Sequence, residues 1–137
     1  MAVKVVSESW DYFDWKIDKK KQVYTLKKDS YIILNLDVNG KKKYYQFTFK
    51  KGFKCDGLSV PKIFQWFLPN WNDKNMLYNL AGVVHDGLYG NKGFGIFSRE
   101  DSDAIFRGLL RDSGINRFRA SSADWILGIF ACKHWRQ

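Results

Sequence analysis

Cysteine is scarce in this chain. Cys55 and Cys132 are the only two in 137 residues, too few for the disulfide framework on which small secreted scaffolds depend. A reducing compartment is the simpler expectation. His85 and His134 bring the nitrogen and sulfur ligands to four, scattered along the chain, which argues against a structural zinc site. Long apolar runs are missing as well. No stretch approaches the ~20 apolar residues needed to cross a bilayer, and the opening MAVKVVSE lacks the apolar core and small-residue cleavage site of a secretory signal. We therefore expect no transmembrane segment, no signal peptide and a protein that stays in the cytosol where it is made. With no internal repeat and no linker, the chain reads as a single domain over 1–137: a β-rich half, 1–51, and a loop plus helical half, 52–137.

Apolar and aromatic residues are abundant. At 45% hydrophobic and 18% aromatic, burial can offset the entropy of ordering the chain, so it folds. Lys and Arg number 23 against 14 acidic residues, a net charge of +9, which favours anionic partners such as nucleic acid, phospholipid head groups or an acidic protein. The lysine runs (19–21, 27–28, 41–43 and 50–51) all fall in the first 51 residues. They read as solvated strand ends and hairpin tips, where Lys also discourages edge-to-edge pairing.

Asn39-Gly40 is the strongest turn signal, because both residues tolerate the positive φ of a type I′ hairpin. It predicts strands over 31–38 and 41–49 with Val38 facing Lys41, Leu34 facing Tyr45 and Ile32 facing Phe47. Ile32, Leu34, Tyr45 and Phe47 then share one apolar face. Residues 10–17 and 22–26 are aromatic or β-branched and predict further antiparallel strands. Residues 52–61 read as a loop and 63–71 as an aromatic cluster with a short helical turn. The cluster (Phe64, Trp66, Phe67 and Trp71) is expected in the core, a membrane-interface role being the alternative.

Three helices follow. Leu77, Leu80, Ala81, Val84 and Leu88 repeat at helical spacing over 75–89. Ser98 with Asp101 resembles a capping box opening a second helix, with Ile105, Phe106, Leu109 and Leu110 as its buried stripe and Gly114 as its stop. A third starts near Ser121 or Ser122 with Ile126, Ile129 and Phe130 on one face. Between the first two helices, residues 90–95 (GNKGFG) carry the letters of a dinucleotide fingerprint, but they follow a helix and not a strand, so the phosphate-cradling geometry is excluded. We read them as an inter-helix loop able to act as a lid over His85.

His85-Asp86-Gly87-Leu88-Tyr89 is the stretch with chemistry in it. On a helix, His85 and Tyr89 share a face while Asp86 points roughly 100° around. A neutral imidazole can take a proton from water, and the adjacent carboxylate can hold a hard cation that polarises a substrate oxygen. Such a base needs an orienting partner on its second nitrogen; Asp103, on the next helix, is the candidate. Asp56-Gly57-Leu58-Ser59-Val60-Pro61 adds a carboxylate and bare backbone carbonyls in a glycine-containing loop, the ligand types calcium prefers.

These residues in this order, with Ser98-Arg99 and Asp103-x-x-Phe106, resemble a domain-of-unknown-function family frequent in tailed-phage and prophage genomes. They also resemble the prokaryotic secreted phospholipase A2 pattern, in which a calcium loop precedes a His-Asp-x-x-Tyr helix and an Asp-x-x-Phe helix. That resemblance implies His85 as the water-activating base, Asp103 as its partner, Tyr89 hydrogen-bonded to Asp103, and Asp56, the Gly57 carbonyl and Asp86 around calcium. The bracing disulfides of the secreted enzymes have no counterpart here, and the β-rich half is extra.

The expected architecture is α+β, an N-terminal antiparallel sheet packed on a three-helix, phospholipase A2-like unit. The expected function is calcium-assisted ester hydrolysis at an anionic lipid surface, by a phage-type protein of the host cytoplasm or virion. A non-catalytic phage accessory or virion protein, binding another phage or host protein, is the rival reading. Nucleic-acid binding through the lysine runs and Arg107, Arg111, Arg117 and Arg119 stands third, since no nucleic-acid module accompanies them.

Overall fold

The computed structural model describes residues 2–58, 60, 64–65, 68–116 and 119–123. The chain is α+β and divides into two compact units, Met1–Asp56 and Gly57–Gln137.

The first unit is all strand and turn. β1 (Val3–Trp10), β4 (Ser30–Val38) and β5 (Lys41–Phe49) form one antiparallel sheet in the order β1-β4-β5; β2 (Trp15–Asp18), β3 (Val23–Leu26) and β6 (Lys54–Cys55) form a second in the order β2-β3-β6. The hairpin register is the one that Asn39-Gly40 predicts: Val38 opposite Lys41, Leu34 opposite Tyr45 and Ile32 opposite Phe47. Both turn residues have positive φ, +54° and +86°. Ile32, Leu34 and Phe47 are buried and Tyr45 half-buried, so alternation along β4 and β5 sends one face inward.

The sequence leads one to expect a single sheet, and the strands instead split into two. The stretch 10–17 is the reason: residues 11–14 are not strand, and the chain leaves the first sheet at Trp10 and enters the second at Trp15. Phe13 fills the break, stacking on Trp15 (centroids 5.9 Å apart) and tilting against Phe49 (6.2 Å). β6 lies inside the stretch expected to be loop, because Tyr24 and Thr25 of β3 supply partners for Cys55 and Lys54. The lysines sit as expected. Lys19–Lys21 and Lys41–Lys43 are exposed, and Lys27, Lys28 and Lys50 meet Asp14, Asp11 and Asp29 at 3.8, 3.2 and 3.7 Å, surface pairs that contribute little to stability.

The second unit is built on two helices, α1 (Met76–Gly90) and α2 (Arg99–Asp112), joined through a 3-10 turn at Lys92–Gly95. Leu77, Leu80, Ala81, Val84 and Leu88 of α1 and Ile105, Phe106, Leu109 and Leu110 of α2 are all buried. The helices run antiparallel: the Asn75 side-chain amide, at the N-cap of α1, donates to the carbonyl of Ser113 just past the end of α2 (2.9 Å). Ser98 and Asp101 form a reciprocal capping box, with Asp101 N–H donating to Ser98 Oγ and Ser98 N–H to Asp101 Oδ2. Ser98→Ala removes one half of it and should lower stability by about 1 kcal/mol in denaturant unfolding. Residues 119–123 are helical, so the third helix has begun before Ser121; Ile126, Ile129 and Phe130, like Cys132, His134 and the aromatic residues Trp66 and Phe67, lie outside the described residues.

Candidate functional site

Spacing on α1 brings the site together. Gly82, His85, Asp86 and Tyr89 stand at i, i+3, i+4 and i+7, one stripe of a helix. On α2, Arg99, Asp103 and Phe106 form a matching stripe at i, i+4 and i+7. Because the helices are antiparallel, the end of one stripe meets the start of the other.

His85 is 5% exposed, held between the rings of Tyr89 and Phe106 at centroid distances of 4.2 and 4.6 Å. Its Nε2 lies 3.6 Å from Oδ1 of Asp103, whose side chain is 18% exposed. This is ion-pair range, longer than a hydrogen bond. The same Oδ1 accepts from the Tyr89 hydroxyl at 2.5 Å, and the Tyr89 oxygen in turn accepts from Nε of Arg99 at 3.3 Å. Three of the residues expected at the site, His85, Asp103 and Tyr89, are therefore in mutual contact. With Nε2 turned to the carboxylate, Nδ1 is the nitrogen left to serve as a base.

Burial pushes the Tyr89 phenol above the ordinary value of 10.0; its hydrogen bond to Asp103 pushes the same way, and Arg99 opposes. Tyr78 is also raised, by burial, with Arg119 opposing; its hydroxyl donates to the carbonyl of Pro69. A phenol that holds its proton more tightly when folded contributes stability that is complete below the unfolded-state value. As pH rises from 10 toward the folded-state value, the unfolded chain ionises first and that contribution is lost. Through these two phenols, unfolding midpoints should fall as pH rises above 10, with a shallower fall in Tyr89→Phe.

The calcium residues predicted from sequence are placed less completely. Gly57 is buried, with φ +74°, and a β-carbon there would lie 2.4 Å from the backbone oxygen of Asn70. Asn70 fastens the loop at two points: its carbonyl accepts from Leu58 N–H (3.0 Å) and its Oδ1 from Val60 N–H (2.9 Å). The Gly57 carbonyl in turn rests on α1 at Gly82, 2.7 Å from where a β-carbon would stand. That contact is one helical turn before Asp86, which is half-buried on the same stripe. Asp56, exposed, closes the first unit; Ser59 and Pro61 of the same loop lie outside the described residues. Within the inter-helix loop, residues 92–95 turn with positive φ throughout, at Lys92, Gly93, Phe94 and Gly95.

Sequence reasoning alone leaves the part played by five residues unread here. Arg99 is visible as a member of a motif without a role, and Phe106 only as part of a motif and of the buried stripe of the second helix. Gly82, a glycine inside a helix, signals close backbone approach. Asn70 and the buried Asn79, whose amide is bonded both ways to Asn72 (2.8 and 2.8 Å), belong to an asparagine-rich stretch that sequence reading leaves without a role.

Residues 31–126 match the model of a protein family described as "Protein of unknown function (DUF1353)". The match takes in the glycine loop, both helix stripes and the capping box. No curated protein and no solved structure matches the chain.

Proposed function

The chain belongs to this family of unknown function, and we propose that it is a phage-type hydrolase with a phospholipase A2-like, calcium-assisted site for ester bonds at an anionic lipid surface. One observation carries the reading: a buried imidazole, clamped by two aromatic rings, faces a carboxylate from the neighbouring helix that a tyrosine already holds in place. The arrangement is costly unless the carboxylate and the ring act on each other, since a buried charge needs both a partner and hydrogen bonds.

In this reading Asp103 keeps the proton of neutral His85 on Nε2, so that Nδ1 presents its lone pair to water. When Nδ1 takes a proton from that water, the imidazolium is stabilised by Asp103, and the 3.6 Å contact closes to a charge-assisted hydrogen bond. Tyr89 holds Asp103 against rotation. Phe106 and Tyr89 keep the ring from turning and shield it from bulk solvent.

The donor set suits a hard cation. Among the described residues no three His, Cys, Asp or Glu side chains gather into a metal-binding group, and what the α1 stripe offers is the Asp86 carboxylate and, one turn away, the backbone oxygen of Gly57. Oxygen ligands of this mixed kind are those calcium takes. Asp86 and the Gly57 carbonyl would hold it, and the bound ion would polarise the ester carbonyl.

The test is calcium titration followed by hydrolysis of phosphatidylglycerol vesicles. Calcium-dependent release of fatty acid by the intact protein, lowered about 100-fold or more in His85→Ala, is the expected result. An intact protein that neither binds calcium nor hydrolyses the lipid would replace this reading with the non-catalytic one, in which the same scaffold serves assembly or binding of a host protein.

A further inference from the structure

We propose that Arg99 is a positioning residue of the His85 site, acting through Tyr89 to fix which way the tyrosine proton points. The argument is one of donors and acceptors. A guanidinium has only N–H donors and no acceptor. The 3.3 Å contact from Arg99 Nε to the Tyr89 oxygen therefore uses a lone pair of that oxygen, and the single phenolic proton is directed to Asp103 Oδ1 at 2.5 Å. Polarity runs one way along the chain, from guanidinium to phenol to carboxylate. Asp103 ends it as a pure acceptor, with Oδ1 facing His85 Nε2.

Helix electrostatics give a second reason to assign Arg99 this role. It is the first residue of α2, and the first turn is otherwise acidic, with Glu100 and Asp101. A cation is the wrong charge for the positive end of a helix dipole, so its placement costs α2 a little, and the contact with Tyr89 helps to offset that cost. Arg99 is half-buried and its contact with Tyr89 is partly buried, which strengthens it relative to one in bulk water.

Arg99's effect on turnover rests on the hydrolase reading above, but its effect on Tyr89 does not. The experiment follows the Tyr89 hydroxyl directly, by hydrogen–deuterium isotope shifts at the ring carbon that bears the oxygen, in tyrosine-labelled full-length protein assigned with Tyr89→Phe. In the wild type the hydroxyl should exchange slowly. Arg99→Met, which suits the helix N-terminus no worse than Arg, should exchange about tenfold faster or more, the scale of losing one charged hydrogen bond. Arg99→Lys, which keeps a donor, should restore slow exchange. In vesicle hydrolysis Arg99→Met should lower kcat with KM little changed, and Arg99→Lys should recover most of it.

Unchanged hydroxyl exchange in Arg99→Met would overturn the proposal, and so would an Arg99→Lys variant as fast as Arg99→Met, since then only the packing of the arginine stem matters. If no variant, wild type included, releases fatty acid, the hydrolase reading fails, and hydroxyl exchange still decides the role of Arg99.

Discussion

Asp103→Asn should reduce ester hydrolysis by about 10³-fold or more while shifting the unfolding midpoint by only a few degrees. The substitution keeps the shape of the side chain, and its amide oxygen can still accept from Tyr89. What it removes is the negative charge 3.6 Å from the imidazole. An amide can also turn its NH₂ toward the ring, which favours the tautomer with the proton on Nδ1 and takes away the base. Loss of activity with the fold retained separates this from a packing effect. An Asn variant with near wild-type turnover would mean that His85 does not depend on Asp103.

The second large effect concerns stability. Gly82→Ala would usually help a helix by about 1 kcal/mol. Here the new methyl group meets the Gly57 carbonyl, its oxygen at 2.7 Å and its carbon at 3.1 Å. Both atoms are backbone, in a loop that two hydrogen bonds to Asn70 hold in place, so the neighbour cannot move cheaply. We expect a net loss of roughly 2 kcal/mol, the cost of overpacking a tight contact, and an unfolding midpoint lower by roughly 5 °C or more. At Gly90, the other end of the same helix, a β-carbon would meet nothing within 4 Å. Gly90→Ala should be neutral or stabilising, and the contrast between the two isolates the loop contact from helix propensity. By displacing the Gly57 carbonyl, Gly82→Ala should also weaken calcium binding, whereas Gly90→Ala should leave it unchanged.

Much of this architecture is legible in the residues because local rules agree with the fold. Asn39-Gly40 sets a register that carries through to Ile32 and Phe47. The 3.6-residue period of Leu77, Leu80, Ala81, Val84 and Leu88 marks α1 within one residue at each end, and Ser98 and Asp101 announce the start of α2. Other features depend on partners that no local pattern names. Alternation says which face of a strand is buried but not which strand lies beside it, so the division into two sheets at residues 11–14 is hidden. β1 is polar at Lys4, Ser7, Glu8 and Ser9 and shifts register between Val5 and Ser7, which blurs its period. β6 is two residues long and exists only because β3 pairs with it.

The site divides in the same way. His85 and Tyr89 are linked by helical spacing and can be paired from sequence, and Asp103 is reached by counting to the facing helix. The bond from Tyr89 to Asp103, expected from sequence only by resemblance, is present. The Arg99 bond to Tyr89 could not be counted out, because it spans the irregular turn at residues 91–98. Gly82 carries its signal in plain view, as a residue that a helix interior disfavours.

The central claim is that Asp103 orients the imidazole so that Nδ1 is the basic nitrogen. It is tested most directly by the tautomer of neutral His85, read from ¹⁵N chemical shifts in histidine-labelled protein and assigned against His134 with a His134→Asn variant. The proton should reside on Nε2. A neutral ring carrying it on Nδ1 would turn the lone pair toward Asp103 and contradict the account.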